Sequence, residues 1–204
     1  MKIAVKGTDI AIESLQVLNP ELEWMVIDDN NPITPETAAD AYVNLSKDAA
    51  TGNYQSLHLP IFINSVHLTL KQQHHPKNVV RINGWNGFIE RSLWEIAGEI
   101  QENHIAFLNA INRKYIVVAD EPGLVSARVI AMIINEAYYA KEDGISSEQE
   151  IDIAMKLGTN YPKGPFEWKS AIGIENIFSL LTALSATDHR YSPSAFLKAE
   201  FEKI

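Results

Sequence analysis

The 204-residue chain has no cysteine. That excludes a disulfide framework and thiolate chemistry, and it points to a cytoplasmic address. No run of apolar residues is long enough to span a bilayer. The opening stretch, MKIAVKGTDI, lacks the apolar core of a signal peptide. Positive charge is scarce as well. Seventeen Lys and Arg stand against 26 Asp and Glu, a net charge of −9, with no basic stripe to meet phosphates, which argues against nucleic acid as a partner. The imbalance is greatest in residues 1–50, which hold nine acids and three bases. The six histidines, at 58, 67, 74, 75, 104 and 189, show neither HExxH nor ligand-type pairing, so no metal site is expected. His74 and His75, before Pro76, read as a solvated helix end. His104, in ENHIAF, reads as a structural residue early in a helix.

What is present divides at Pro122. Before it, β-branched runs alternate with helical or irregular segments. KIAVKG, EWMVIDDN, PIFINSV, NVVRINGW and KYIVVAD read as strands. TDIAIESLQVL reads as a helix with Ile10, Ser14, Leu15 and Leu18 on one face. Strand–helix–strand at the start predicts a parallel sheet with right-handed crossovers.

After Pro122 the pattern is helical only. GLVSARVIAMIINEAYYAKEDG places Val125, Val129, Met132, Ile133, Glu136, Ala137 and Ala140 on one stripe, with Gly144 as the stop. SEQEIDIAMKLG opens on a capping box from Ser147 to Glu150, and Gly158 is expected to end it. IENIFSLLTALSA and SAFLKAEFEKI supply two further helices. The expected architecture is α/β plus α, with a reduced parallel-sheet domain over 1–121 and an all-helical domain over 122–204. Between the helices lies GTNYPKGPFEW, whose prolines and glycines cannot occupy a helix middle or a central strand.

A dinucleotide site would show G-x-G-x-x-G between the first strand and helix. The turn here, KGTDIAIES, has Gly7 alone. Asp9 suits the helix dipole but repels a phosphate. Asp28 or Asp29, after the second strand, has the spacing of a ribose-binding acid. The other reading of that segment, DDNNP, is a solvated turn.

Residues 122–168 resemble the C-terminal domain of the 3-hydroxyacyl-CoA dehydrogenases. The resemblance rests on EPG at 121–123, NEAYYAKEDG at 135–144, DIAMKLG at 152–158, GTNYPKGPFEW directly after, and RYSPSAFL at 190–197. It implies a shortened Rossmann-like domain ahead of a helical domain that dimerises and closes one side of an acyl-CoA cleft. The corner has a physical explanation: Pro162 and Pro165 fix it, Gly164 permits close backbone approach, and Tyr161, Phe166 and Trp168 are expected to pack between helices.

The same resemblance assigns site positions. An ungapped match of RINGWNGFIERSLWEI puts Asn83 at the family's catalytic histidine, Asn86 at its asparagine and Glu95 at its glutamate. A gapped match puts Asn86 at the histidine position, and neither match yields a histidine. NSVHL, residues 64–68, matches the N-T-S-S-L loop, with Asn64 on its asparagine and Val66 on the substrate-binding serine. Ala127 takes the place of an asparagine at the start of the helical domain. Gly7 and Asp28 are the candidate NAD contacts. Asparagine has no titrating group with which to act as a base.

Two functions follow. One is a dimeric binding or assembly homologue with a degenerate catalytic and NAD site, for which no bound cofactor is expected. The other is an NAD-dependent 3-hydroxyacyl-CoA dehydrogenase of fatty acid metabolism. Both imply a homodimer through 122–204 and an acyl-CoA ligand, with no membrane and no nucleic acid partner.

Overall fold

Strand β1 (Lys2–Lys6) alternates as the sequence predicts, with Ile3 and Val5 buried on one face and Ala4 on the other. The structure, a computed structural model, describes residues 1–28 and 30–204. The expectation for Asp29 lies outside the described residues. The chain divides into two compact units, Met1–Leu124 and Val125–Ile204.

In the first unit, α1 (Asp9–Leu18) leads from β1 to β2 (Glu23–Val26). Then come β3 (Ala41–Asn44), β4 (Ile61–Asn64), the short α2 (Leu70–Gln73) and β5 (Val79–Ile82). The unit ends with β6 (Leu93–Ala97), α3 (Glu102–Ala110) and β7 (Lys114–Val117). The seven strands form one sheet in the order β2-β1-β3-β4-β5-β6-β7. Every pairing is parallel except β5 with β6. Strand order reverses between β1 and β3, the Rossmann-type switch point. One face packs Val43, Phe62, Val80 and Ile96 against α1 and α3. The other packs Tyr42, Ile61 and Ile63 against Ala49, Tyr54 and Leu57. There the chain forms only a 3-10 turn, Ala49–Thr51, where a full-size domain would lay a helix. This is the reduced Rossmann-like domain expected.

Two sequence readings need correction here. The α1 core face is Ala11, Ile12 and Leu15, while Ile10 and Leu18 are exposed. Strand β3 went unread because AYVN is buried on both sides and so shows no alternation.

The second unit holds α4 (Ser126–Glu142), α5 (Glu148–Thr159), α6 (Pro165–Ile172), α7 (Ile174–Ser185) and α8 (Ala195–Phe201). Gly144 stops α4 with a φ of 67°. Ser147 and Glu150 form the capping box of α5. The stripe expected to be buried on α4 is corrected. Val125, Val129 and Glu136 are exposed, and the core face is Ala127, Ile130, Ala131, Ile134, Ala137 and Tyr138. Both stripes have helical period, and the one with smaller residues permits the closer packing. Gly158 does not end α5. Asn160 does, in the left-handed conformation at φ 55°.

The proline-rich corner contains the start of α6, an element the sequence reading missed. Pro165 is its first residue, where a missing N–H costs nothing. Both carboxylate oxygens of Asp152 receive α6 amides, from Phe166 N at 2.8 Å and Glu167 N at 3.2 Å. A Cβ on Gly164 would stand 2.3 Å from Asp152 Oδ1. The D-x-A-M and G-P motifs are thus two halves of one helix cap. Phe166 and Trp168 are buried, whereas Tyr161 stays at the surface. The RYSPS motif is held similarly: Asn135 Nδ2 donates to Ser192 O and Asn135 Oδ1 accepts from Ser194 N, each at 2.9 Å.

Candidate functional site

The expected site residues of the first unit collect at the carboxyl edge of the parallel strands. Asn64 closes β4, and its Oδ1 accepts from Gly84 N at 3.1 Å. A Cβ on Gly84 would come within 2.8 Å of Asn64 Cγ, so this amide bridge requires glycine there. Asn83 follows β5, is buried, and accepts Trp85 N on Oδ1 at 3.2 Å. The antiparallel register pairs Arg81 with Ala97 and Ile82 with Ile96. The pairing ends there, with Asn83 just past β5 and Glu95 half-buried in β6. Asn86 is exposed on the following loop. Val66 is buried, and its carbonyl accepts Gly123 N at 2.7 Å. Ala127 lies in the second unit, buried in α4.

The edge also holds groups the sequence reading passed over. The Arg81 side chain has 0% exposure and pairs through Nε with Asp120 Oδ1 at 3.1 Å. It also donates to Leu68 O, and through Nη2 to Glu121 O at 2.8 Å. Asp120 in turn accepts Leu70 N and Lys71 N, each at 3.2 Å, capping α2. Burial lowers the guanidinium pKa to about 10, against the opposing pull of Asp120 and Glu121. A charged residue within VVRI was the available signal. At the switch point, Asn44 Nδ2 donates to the Tyr54 hydroxyl at 2.9 Å, and Ser46 bonds both Asn44 and Asp48. Lys6 Nζ lies 3.7 Å from Asp48. The Ser46 hydroxyl holds Asp48 below the usual carboxylate range.

A dinucleotide needs open backbone amides above the β1–α1 turn. Here Gly7 is the one glycine of the turn, and a Cβ on it would lie 3.1 Å from Leu45 Cβ, so Gly7 serves close packing against Leu45. Thr8 caps Ala11 N, and Asp9 sets a negative charge in the first turn. Asp28 Oδ1 already accepts Asn30 N at 2.8 Å and Asn31 N at 2.7 Å. These residues do not fit a pyrophosphate and ribose held in the glycine-loop manner. Among the described residues no cluster of three or more metal-ligating side chains occurs, and no helix is long and apolar enough to cross a membrane.

The fold defines a class: a Rossmann-like α/β unit followed by a helical unit. Residues 123–203 match the family model described as 3-hydroxyacyl-CoA dehydrogenase, C-terminal domain. Over 96 residues the chain is 42% identical to 3-hydroxyadipyl-CoA dehydrogenase of Escherichia coli K12, covering 46% of this chain and 20% of that protein. It is 39% identical over 75 residues to 3-hydroxybutyryl-CoA dehydrogenase of Clostridioides difficile, covering 37% of this chain and 27% of that one. These matches therefore span about a fifth and a quarter of those relatives. The crystal structure of (S)-3-hydroxybutyryl-CoA dehydrogenase from Ralstonia eutropha superposes with a TM-score of 0.74 at 17% identity, covering 99% of this chain and 93% of that one. At that identity the likeness concerns the fold. Residues 123–203 are thus similar to the C-terminal domain of the 3-hydroxyacyl-CoA dehydrogenases.

Proposed function

We propose that the protein is a 3-hydroxyacyl-CoA dehydrogenase homologue that binds acyl-CoA thioesters as a homodimer and transfers hydride weakly or not at all. The observation that carries this reading is Asn83, directly after β5, at the position the resemblance gives to the histidine. The antiparallel pair β5–β6 and Glu95 on β6 are kept, but the side chain at 83 cannot take up a proton. The β1–α1 turn supports weak NAD binding in the same reading. The proposed address is the cytoplasm, resting on the cysteine-free sequence.

The homodimer reading has its support on α4. Val125 and Val129 are each 52% exposed. Val129, Met132 and Ile133 line a groove with Arg128, Glu136 and Tyr191. A two-fold axis would let this apolar row cover itself. Sedimentation at micromolar concentration tests it, and a clean monomer would count against it.

A second reading, an NAD-dependent 3-hydroxyacyl-CoA or 3-hydroxybutyryl-CoA dehydrogenase of fatty acid metabolism, is favoured by the comparisons. The curated relatives carry such names, and the fold extends over both units. Incubation with NADH and acetoacetyl-CoA separates the two. Steady loss of NADH absorbance supports the enzyme. Thioester binding by calorimetry without turnover supports the binding homologue.

A further inference from the structure

The stretch RINGWNGF carries the chain's two Asn-Gly pairs, and the structure treats them unequally. In such a pair the glycine nitrogen can attack the asparagine Cγ and close a ring, with no glycine Cβ to hinder it. At the first pair both partners are held. Asn83 is 7% exposed and its Oδ1 accepts Trp85 N at 3.2 Å, while Gly84 N is bonded to Asn64 Oδ1 at 3.1 Å. A Cβ on Gly84 would stand 2.8 Å from Asn64 Cγ, so little room is left for that ring.

The second pair lies at the surface. Asn86 is exposed, in a turn over 85–88 that Phe88 N closes on Trp85 O at 2.9 Å. Gly87 takes a φ of 85° there, a conformation that favours glycine and so sets the least hindered nucleophile after an asparagine. Its N–H donates to Glu90 Oε2 at 2.9 Å, and Glu90 Oε1 accepts the Ser14 hydroxyl from α1 at 3.3 Å. A carboxylate is thus fixed on the one proton that must leave before Gly87 N can attack.

We propose that Asn86–Gly87 is a self-modification site, at which Asn86 converts through a succinimide to aspartate and isoaspartate with Glu90 as the base. The Gly87 N–H proton passes to Glu90 as the bond from Gly87 N to Asn86 Cγ forms. The bond from Cγ to the side-chain nitrogen then breaks, and that nitrogen takes the proton and leaves as ammonia. Water opens the imide at Cγ to give aspartate, or at the backbone carbonyl to give isoaspartate. No oxidant, reductant or cofactor enters. Either product adds a negative charge at 86, next to Arg91, whose Nε donates to Gly87 O at 3.1 Å.

The test is incubation of the whole chain at mildly alkaline pH, with peptide mapping by fragmentation mass spectrometry at intervals. The mass gain of replacing NH2 by OH should accumulate at Asn86, with an isoaspartate fraction, and lag at Asn83. In urea, where neither turn persists, the two asparagines should react at similar rates. A positioned base contributes ~10²–10⁴-fold, and with hydroxide competing at an exposed turn Glu90→Gln should slow the folded Asn86 reaction about tenfold. Ser14→Ala, which frees one side of the carboxylate, should slow it less. Equal rates at Asn83 and Asn86 in the folded chain, or no conversion at Asn86, would overturn the site. An unchanged or faster rate in Glu90→Gln would overturn the role given to Glu90.

Discussion

Asn83 directly follows Ile82, the last residue of β5, and Glu95 directly precedes Ile96, the β6 residue paired with Ile82. The resemblance would set a histidine at 83 against that carboxylate. Asn83→His is nonetheless expected to give no measurable gain in acetoacetyl-CoA reduction. A positioned base yields its ~10²–10⁴-fold only when substrate and hydride acceptor are already aligned. The Val66 side chain offers no polar contact, and the β1–α1 turn carries Gly7 alone where a dinucleotide needs a glycine loop. NADH absorbance is the measurement, and a rate clearly above the parent would return the chain to the enzyme reading.

The cap joining Asp152 to α6 makes a second expectation. Asp152→Ala removes a charged acceptor from two amides and should cost about 1–2 kcal/mol of stability. Gly164→Ala should cost more, about 3 kcal/mol or above. Its new methyl would meet the Asp152 backbone Cα at 2.5 Å as well as the carboxylate, so rotating the side chain cannot relieve it. Thermal unfolding followed by far-UV circular dichroism ranks the two variants.

Motif chemistry made the helical unit readable, while periodicity alone misplaced its core. Ser147 and Gly144 act where local rules put them, because caps depend on neighbours within a few residues. The α4 face was misassigned because Val129 and Ile133 repeat with the same period as Ile130 and Ile134. Only the packing of the other helices distinguishes the two stripes. In the sheet unit, the runs NVVRI and PIFIN announced their strands, but β3 did not. That β6 runs antiparallel to β5 is a property of topology that no local run of residues encodes.

Arg81 and Asp120 should respond unequally to substitution. Asp120→Ala leaves a guanidinium of 0% exposure with backbone carbonyls as its remaining hydrogen-bond partners, and it also uncaps α2. A loss of about 3–5 kcal/mol is expected. Arg81→Met leaves Asp120 partly exposed, at 27%, and still bonded to two amides, so about 1–3 kcal/mol is expected. Urea denaturation of both single variants and the double variant measures the coupling. The double variant should be more stable than Asp120→Ala alone, because it removes the stranded charge.

His104 gives the pH dependence. Its ring has 0% exposure, packs edge-on against Phe62, accepts Gln101 N on Nδ1 at 3.2 Å, and approaches Asn78 O through Nε2 at 3.0 Å. Those contacts require the neutral ring with its proton on Nε2, because a second proton on Nδ1 would face the Gln101 N–H. Burial accordingly holds the imidazole below its ordinary value of 6.5, against the opposing bond to Asn78. For a base whose folded pKa is depressed, the unfolded chain binds the extra proton first as pH falls. This contribution is fully present above the unfolded pKa and is lost progressively below about 6.5. His67, shifted the same way, adds to the slope. Asp48, Glu167 and Glu200, all held below their ordinary values, take effect only at lower pH. Urea midpoints should therefore fall between pH values of about 7.5 and 5.5. His104→Gln should be less stable at the upper value, because it loses ring packing, and should show a flatter decline. A parent midpoint unchanged across that interval would mean that the folded and unfolded chains bind protons equally there, and that His104 accepts its second proton without cost.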